Sequence, residues 1–339
     1  MSEQHLGASA APVSPVDPRS FPHAEPTPYH LMLRTWTYAW WRPVLGSVIS
    51  MVAFFVLAAV VYLLVAALWA AFQDGSWADD FTANTDTDNL SAPGLLGLNL
   101  GIGSMILVTW FVIRVVHRMR PRWLASVVPR MRWRLLGLCL GLAVVALVSQ
   151  VLVGLVVPSQ TGDELGAELN SFTMATAVSA LVVLLTTPLQ AAGEEYLFRG
   201  YLMQAFGSFS GSRWVAILGT ATLFALAHGA QNFPLFFDRF AFGVIAGWLV
   251  IRTGGLEAGI ALHIINNFVA FGFALSFGDL STTLNVSEVS WWNIVLTLTQ
   301  SVVYTALVLL VVRSSGLQTR TRPPGTAVEP GTGPPVATA

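Results

Sequence analysis

Lysine is absent from this 339-residue chain, cysteine occurs once, and charged residues make up only 10% of it. Each scarcity excludes something. A typical soluble domain carries roughly 25% charged residues, so the chain is not composed like one. The lone Cys139 lies within an apolar run, which rules out a disulfide framework and any cysteine knuckle for a metal. A metal here would need histidine and carboxylate ligands. No Gly-x-Ser-x-Gly elbow and no His-Glu-x-x-His helix motif occurs, so neither serine-hydrolase nor zincin chemistry is signalled. The formal net charge of -1 hides a segregation of the arginines that reports topology, not a nucleic-acid partner. No internal or inverted repeat is evident.

What the chain has is apolar length. Its mean hydropathy is +0.65 and 54% of its residues are apolar. Stretches long enough for a bilayer core of about 30 Å occur near 44–72, 94–116, 135–157, 173–192, 214–230, 238–252, 255–277 and 292–313. They predict an all-α, polytopic transmembrane helical bundle of about eight helices. All 17 basic residues are arginine. Arg114, Arg118, Arg120, Arg122, Arg130, Arg132 and Arg134 crowd between the second and third stretches, whereas the loops near 73–93, 158–172 and 278–290 hold acids and no arginine. The positive-inside rule then places that loop and both termini in the cytoplasm, and a bacterial cell membrane is the expected setting. Arg34, Arg42, Arg252 and Arg313 keep the same parity. Trp36, Tyr38, Trp40, Trp41, Trp291 and Trp292 read as headgroup anchors. The pairs Gly97/Gly101, Gly137/Gly141, Gly243/Gly247 and Gly255/Gly259 are candidates for close helix packing. Residues 1–30 do not read as a cleaved signal peptide, and with 314–339 they are expected to be disordered tails flanking membrane segments 31–170 and 171–313.

Ionisable groups inside a span cost roughly 2.5–3.5 kcal/mol each on insertion scales, so their concentration between 194 and 267 asks for a reason. On a helix Glu195 and Arg199 are four apart and share a face, which suits an ion pair. Glu194 turns about 100° away and is left free as a base. His228 closes the fifth stretch, with Phe224 one turn earlier on its face. His263 and Asn267 share a face in the seventh stretch. Together they offer a carboxylate to activate water, imidazoles as metal ligands or oxyanion donors, and an amide for the oxyanion. The bland alternatives are snorkelling charges at a helix end, an interfacial histidine and a neutral helix-helix hydrogen bond. Tyr196, Asp238, Arg239 and Glu257 read as interface or packing residues.

The ordered trio Glu194-Glu195-x-x-x-Arg199, Phe224-x-x-x-His228 and His263-x-x-x-Asn267 resembles the CAAX protease and bacteriocin-processing family, over roughly residues 170–275. No motif position is substituted. The resemblance implies an intramembrane endopeptidase similar to type II CAAX prenyl endopeptidases, acting on a membrane-associated peptide or protein among membrane lipids. In it Glu194 activates water while His228, His263 and Asn267 bind or stabilise the tetrahedral intermediate. Zinc held by Glu194, His228 and His263 is an option, and so is metal-free glutamate chemistry. The expected place of reaction is within or at the cytoplasmic half of the membrane.

Two other functions use the same residues, a proton-coupled transporter and a noncatalytic membrane scaffold. The spans also raise a geometric difficulty. They leave Glu194 near the cytoplasmic face and His228 about 24 Å along the next helix at 1.5 Å per residue. Continuation of the fourth helix through Phe206, or a strongly tilted fifth helix, would bring the two together.

Overall fold

The computed structural model describes residues 20–157, 169–229 and 231–322, without the side chains of 282–284. It is helical, with α1 at Trp41–Ala70, α2 at Trp77–Asn84, α3 at Ala92–Gly103, α4 at Met105–Val115 and α5 at Trp133–Gly154. There follow α6 at Met174–Glu195, a π-helical turn at Tyr196–Leu202, α7 at Met203–Ser210, α8 at Arg213–Leu226, α9 at Phe233–Thr253, α10 at Glu257–Phe277, α11 at Leu280–Asn285 and α12 at Asn293–Ser315. Among the described residues no strand forms, and only isolated bridges join Pro28 to Arg320 and Ser126 to Gly255.

Seven helical spans are long and apolar enough to cross a membrane: α1, α3 with α4, α5, α6 through α7, α9, α10 and α12. α8 is the eighth apolar helix, but its 14 residues cover only about 21 Å. It ends before the expected limit of 230, and α9 begins at Phe233 instead of 238. The boundary follows its caps. The Asn232 side chain accepts from Leu235 N, and Pro234 stands in the first turn, where its missing N–H costs nothing. The expected 94–116 span is interrupted at Ser104, whose hydroxyl bonds back to Gly101 O.

Backbone contacts sort the connections onto two faces. On one, Thr27 N donates to Thr321 Oγ1 at 2.9 Å, Val127 N to Gly254 O at 2.8 Å and Leu256 N to Ala125 O at 2.9 Å. Tyr29 OH donates to Leu124 O on the same face. On the other, Asn170 N donates to Ser276 O at 2.8 Å and Asn232 N to Ser287 O at 2.7 Å. The terminal segments thus meet on the face that holds the arginine-rich loop. The chain is a multi-pass membrane protein.

The tail boundaries shift. Residues 1–19 and 323–339 lie outside the described residues, as do the acids Asp163, Glu164 and Glu168 of the expected outer loop. Residues 20–33, expected to lie mostly in a tail, are folded: Tyr29, Met32 and Leu33 are fully buried. His23 Nε2 lies 2.8 Å from Met32 O. Burial of these apolar side chains against the arginine-rich loop orders a segment whose composition alone looks loose.

The small-residue pairs divide by position. Cβ atoms on Gly97 and Gly101 would come within 3.0 and 2.7 Å of α1 carbonyls, and one on Gly243 within 2.8 Å of Ala221. Gly137 and Gly141 have nothing within 4 Å and face outward. Lipid-facing surface is plain elsewhere too, since Val48, Phe55 and Leu64 of α1 are more than two-fifths exposed.

Candidate active site

α6 does not stop where its carboxylates appear. From Met174 it continues through the π turn to Ser210, 37 residues in all, so Glu194 and Glu195 lie in mid-helix and not at a helix end. This resolves the separation of Glu194 from His228 by the first of the two routes the sequence allows. Pro188, inside α6, removes a hydrogen bond one to two turns ahead of the pair, and the π turn begins directly after it. π turns recur at functional sites because the extra residue re-aims the side chains beyond it.

Two glycines let the surrounding backbone close on the carboxylates. A Cβ on Gly193 would lie 2.4 Å from Ile102 O of α3, and one on Gly259 of α10 would lie 2.7 Å from Glu195 Oε2. Any larger residue at Gly193 would push α3 off α6, and one at Gly259 would displace the Glu195 carboxylate.

Glu195 and Arg199 form an ion pair of 2.9 Å with both side chains fully buried. The guanidinium also lies 4.1 Å from the centre of the Phe224 ring and 5.0 Å from that of Phe242, an aromatic cage in which a cation replaces lost hydration. His263 Nδ1 is 3.0 Å from Glu195 Oε1, and its Nε2 is 3.6 Å from Glu194 Oε2. The ring therefore stands between the two carboxylates. Glu194 Oε1 accepts from Gln190 Nε2 at 2.7 Å, and Gln190 Oε1 accepts from Asn267 Nδ2 at 2.8 Å. Glu194 Oε2 is buried and has no protein hydrogen-bond partner.

Glu194, His228, His263 and Asn267 line one cavity of about 410 Å³. His228 is its exposed member, with Nδ1 2.8 Å from Phe224 O and its ring 4.7 Å from the Phe224 ring. Glu195 and Arg199 stand behind the wall. Among the described residues no group of three or more His, Cys, Asp and Glu side chains is arranged to hold a metal ion, and zinc needs several such atoms at about 2.0–2.3 Å. The arrangement does not fit that option.

Three residues that sequence reasoning set aside or missed belong to this cavity. Asp238 and Arg239 line it instead of serving as plain packing. Asp238 accepts from Thr297 Oγ1, and Arg239 Nη1 donates to Gln231 Oε1 at 2.8 Å. Gln190 was legible in principle, because it stands four residues before Glu194 on one helix face. Glu257 does pack: Arg132 grips it at 2.8 and 2.6 Å, with its carboxylate fully buried.

Residues 173–269 match the model of the family described as type II CAAX prenyl endopeptidase Rce1-like. The chain is 23% identical over 213 residues to an uncharacterized protein of Bacillus subtilis strain 168, YyaK, covering 59% of this chain and 69% of that one. It is 34% identical over 88 residues to an uncharacterized 24.3 kDa protein of Escherichia coli, covering 25% of this chain and 39% of that one. No solved structure matches.

Proposed function

We propose, from the match of residues 173–269 to the model of the type II CAAX prenyl endopeptidase Rce1-like family, that Glu194 activates water to hydrolyse a peptide bond within the membrane. The match supports reading the protein as a protease. The observation that carries the mechanism is Glu194 Oε2, buried, without a partner, and 3.6 Å from His263 Nε2 at the cavity wall.

With its Nδ1–H given to Glu195, a neutral His263 presents Nε2 as an acceptor. A water about 2.8 Å from both Nε2 and Oε2 donates one hydrogen to each, which aims its lone pair at a substrate carbonyl. As oxygen bonds to the carbonyl carbon, Glu194 takes the proton. The oxyanion accepts from the second N–H of Asn267, whose first is held by Gln190, and from Nε2 of His228 when that ring carries a second proton. Collapse of the intermediate breaks the C–N bond, and Glu194 passes its proton to the leaving amine. Glu195 and Arg199 act by holding His263.

The substrate class is a membrane-associated peptide or protein, and only hydrolysis is taken from the family, not prenylation. The relatives are bacterial, and the arginine asymmetry supports a bacterial cell membrane with both termini in the cytoplasm. The test is cleavage of a library of prenylated and unmodified peptides by protein in liposomes, read by mass spectrometry. The isosteric Glu194→Gln should slow it at least about 100-fold, as loss of a general base does. Equal cleavage of the same bonds by wild type and variant, or no cleavage by either, would refute the mechanism.

A further inference from the structure

The cavity is closed toward one face of the bundle and built out toward the other. On the arginine-bearing side Trp123, Leu124, Leu197, Leu202 and Leu256 are at most 3% exposed. Gly200 of the π turn looks onto two of them, Leu124 and Leu256, at 3.9 and 3.6 Å. Beyond lies the buried Arg132–Glu257 pair at the start of α10. These close-packed apolar side chains make that side of the cavity a poor route for water.

Toward the opposite face the cavity wall is made by Ala227 and His228 just past α8, Leu235 and Asp238 in the opening turns of α9, and Val286 beyond α11. Ala227 and His228 are exposed, whereas Glu194, Glu195 and Arg199 are buried. All five wall residues belong to the face that carries the 227–232 and 277–292 connections, where no loop arginine stands. Of the described arginines, only Arg239, which lines the cavity, and Arg199, behind its wall, lie inside the bundle; the others belong to the segments of the terminal face.

We propose that the site is loaded from the face opposite the arginines, so that its substrates are exported, membrane-tethered peptide segments presented at the extracytoplasmic leaflet. Arginine retention sets the compartment. The apolar floor sets the direction of entry. This reverses the cytoplasmic loading expected from sequence, and it rests on the hydrolytic reading only for the word substrate.

Cys139 is the chain's single cysteine and is 1% exposed, which makes a Cys139→Ala background simple to label. In it, Ala227→Cys and Val286→Cys probe the mouth, and Arg122→Cys and Ser315→Cys probe the terminal face. Intact cells are treated with a membrane-impermeant sulfonated maleimide, before and after permeabilisation. The expected result is labelling of the first two in intact cells and of the second two only after permeabilisation. Labelling of the mouth positions only after permeabilisation, or not at all, would overturn the proposal. Labelling does not depend on turnover, so failure of peptide cleavage with unchanged labelling would sink the hydrolytic reading alone.

Discussion

Removing the Arg199 charge should cost more than any surface change in the chain, and the cost should largely vanish when Glu195 is neutralised with it. The guanidinium is fully buried, 2.9 Å from Glu195 Oε1, and packed against Phe224 at 4.1 Å. Arg199→Met leaves a fully buried carboxylate without its cation, which breaks a buried pair at a cost of about 3–5 kcal/mol. Lost ring contact adds about 1–2 kcal/mol. Glu195→Gln alone strands the guanidinium and should cost a similar amount. The double variant carries neither charge, so the two effects should fall short of their sum by at least about 2 kcal/mol. Denaturant titration in micelles, followed by the fluorescence of the 12 tryptophans, measures each variant. Single variants within about 1 kcal/mol of wild type, or strict additivity, would refute the account of Glu195 and Arg199 as one neutralised unit.

Other consequences are open to measurement. Gln190→Met keeps side-chain length but removes the donor to Glu194 at 2.7 Å and the acceptor for Asn267 at 2.8 Å. Since a hydrogen bond to a charged group is worth about 1.5–3 kcal/mol, kcat should fall about 10- to 100-fold with KM little changed; an unaltered kcat would count against the relay. Burial and nearby arginines hold His30 and His117, both outside the spans, down to about 4. Protonation then favours the unfolded chain, so their contribution is complete above pH 6.5 and declines as pH falls toward 4. Each should lose about 1.4 kcal/mol by pH 5.5. A His30→Gln/His117→Gln variant should show a flatter pH–stability curve between 7.5 and 5.5, and an unchanged slope would contradict this. Because the described His and carboxylate groups do not form a metal site, prolonged chelation should leave peptide cleavage unchanged; loss restored by zinc would reverse that conclusion.

Much of the site was legible because its spacing is local. Glu195 and Arg199 pair through helix geometry that four residues of sequence specify, and Phe224 meets His228 for the same reason. Bilayer thickness turned apolar length into crossings, and arginine placement turned crossings into two faces. These are properties of segments, each satisfied without knowing its neighbours. The short α8, the continuation of α6 past Glu194, and the folding of residues 20–33 depend on what packs beside them. Gly193 and Gly259 permit α3 and α10 to close on α6, and this closure brings His263 between two carboxylates, Glu195 lying 68 residues earlier in the chain. By itself the sequence determined which groups must avoid lipid. The tertiary structure decided which of them meet across helices, because the contacts of His263 with Glu195 and of Asn267 with Gln190 depend on how α10 packs on α6.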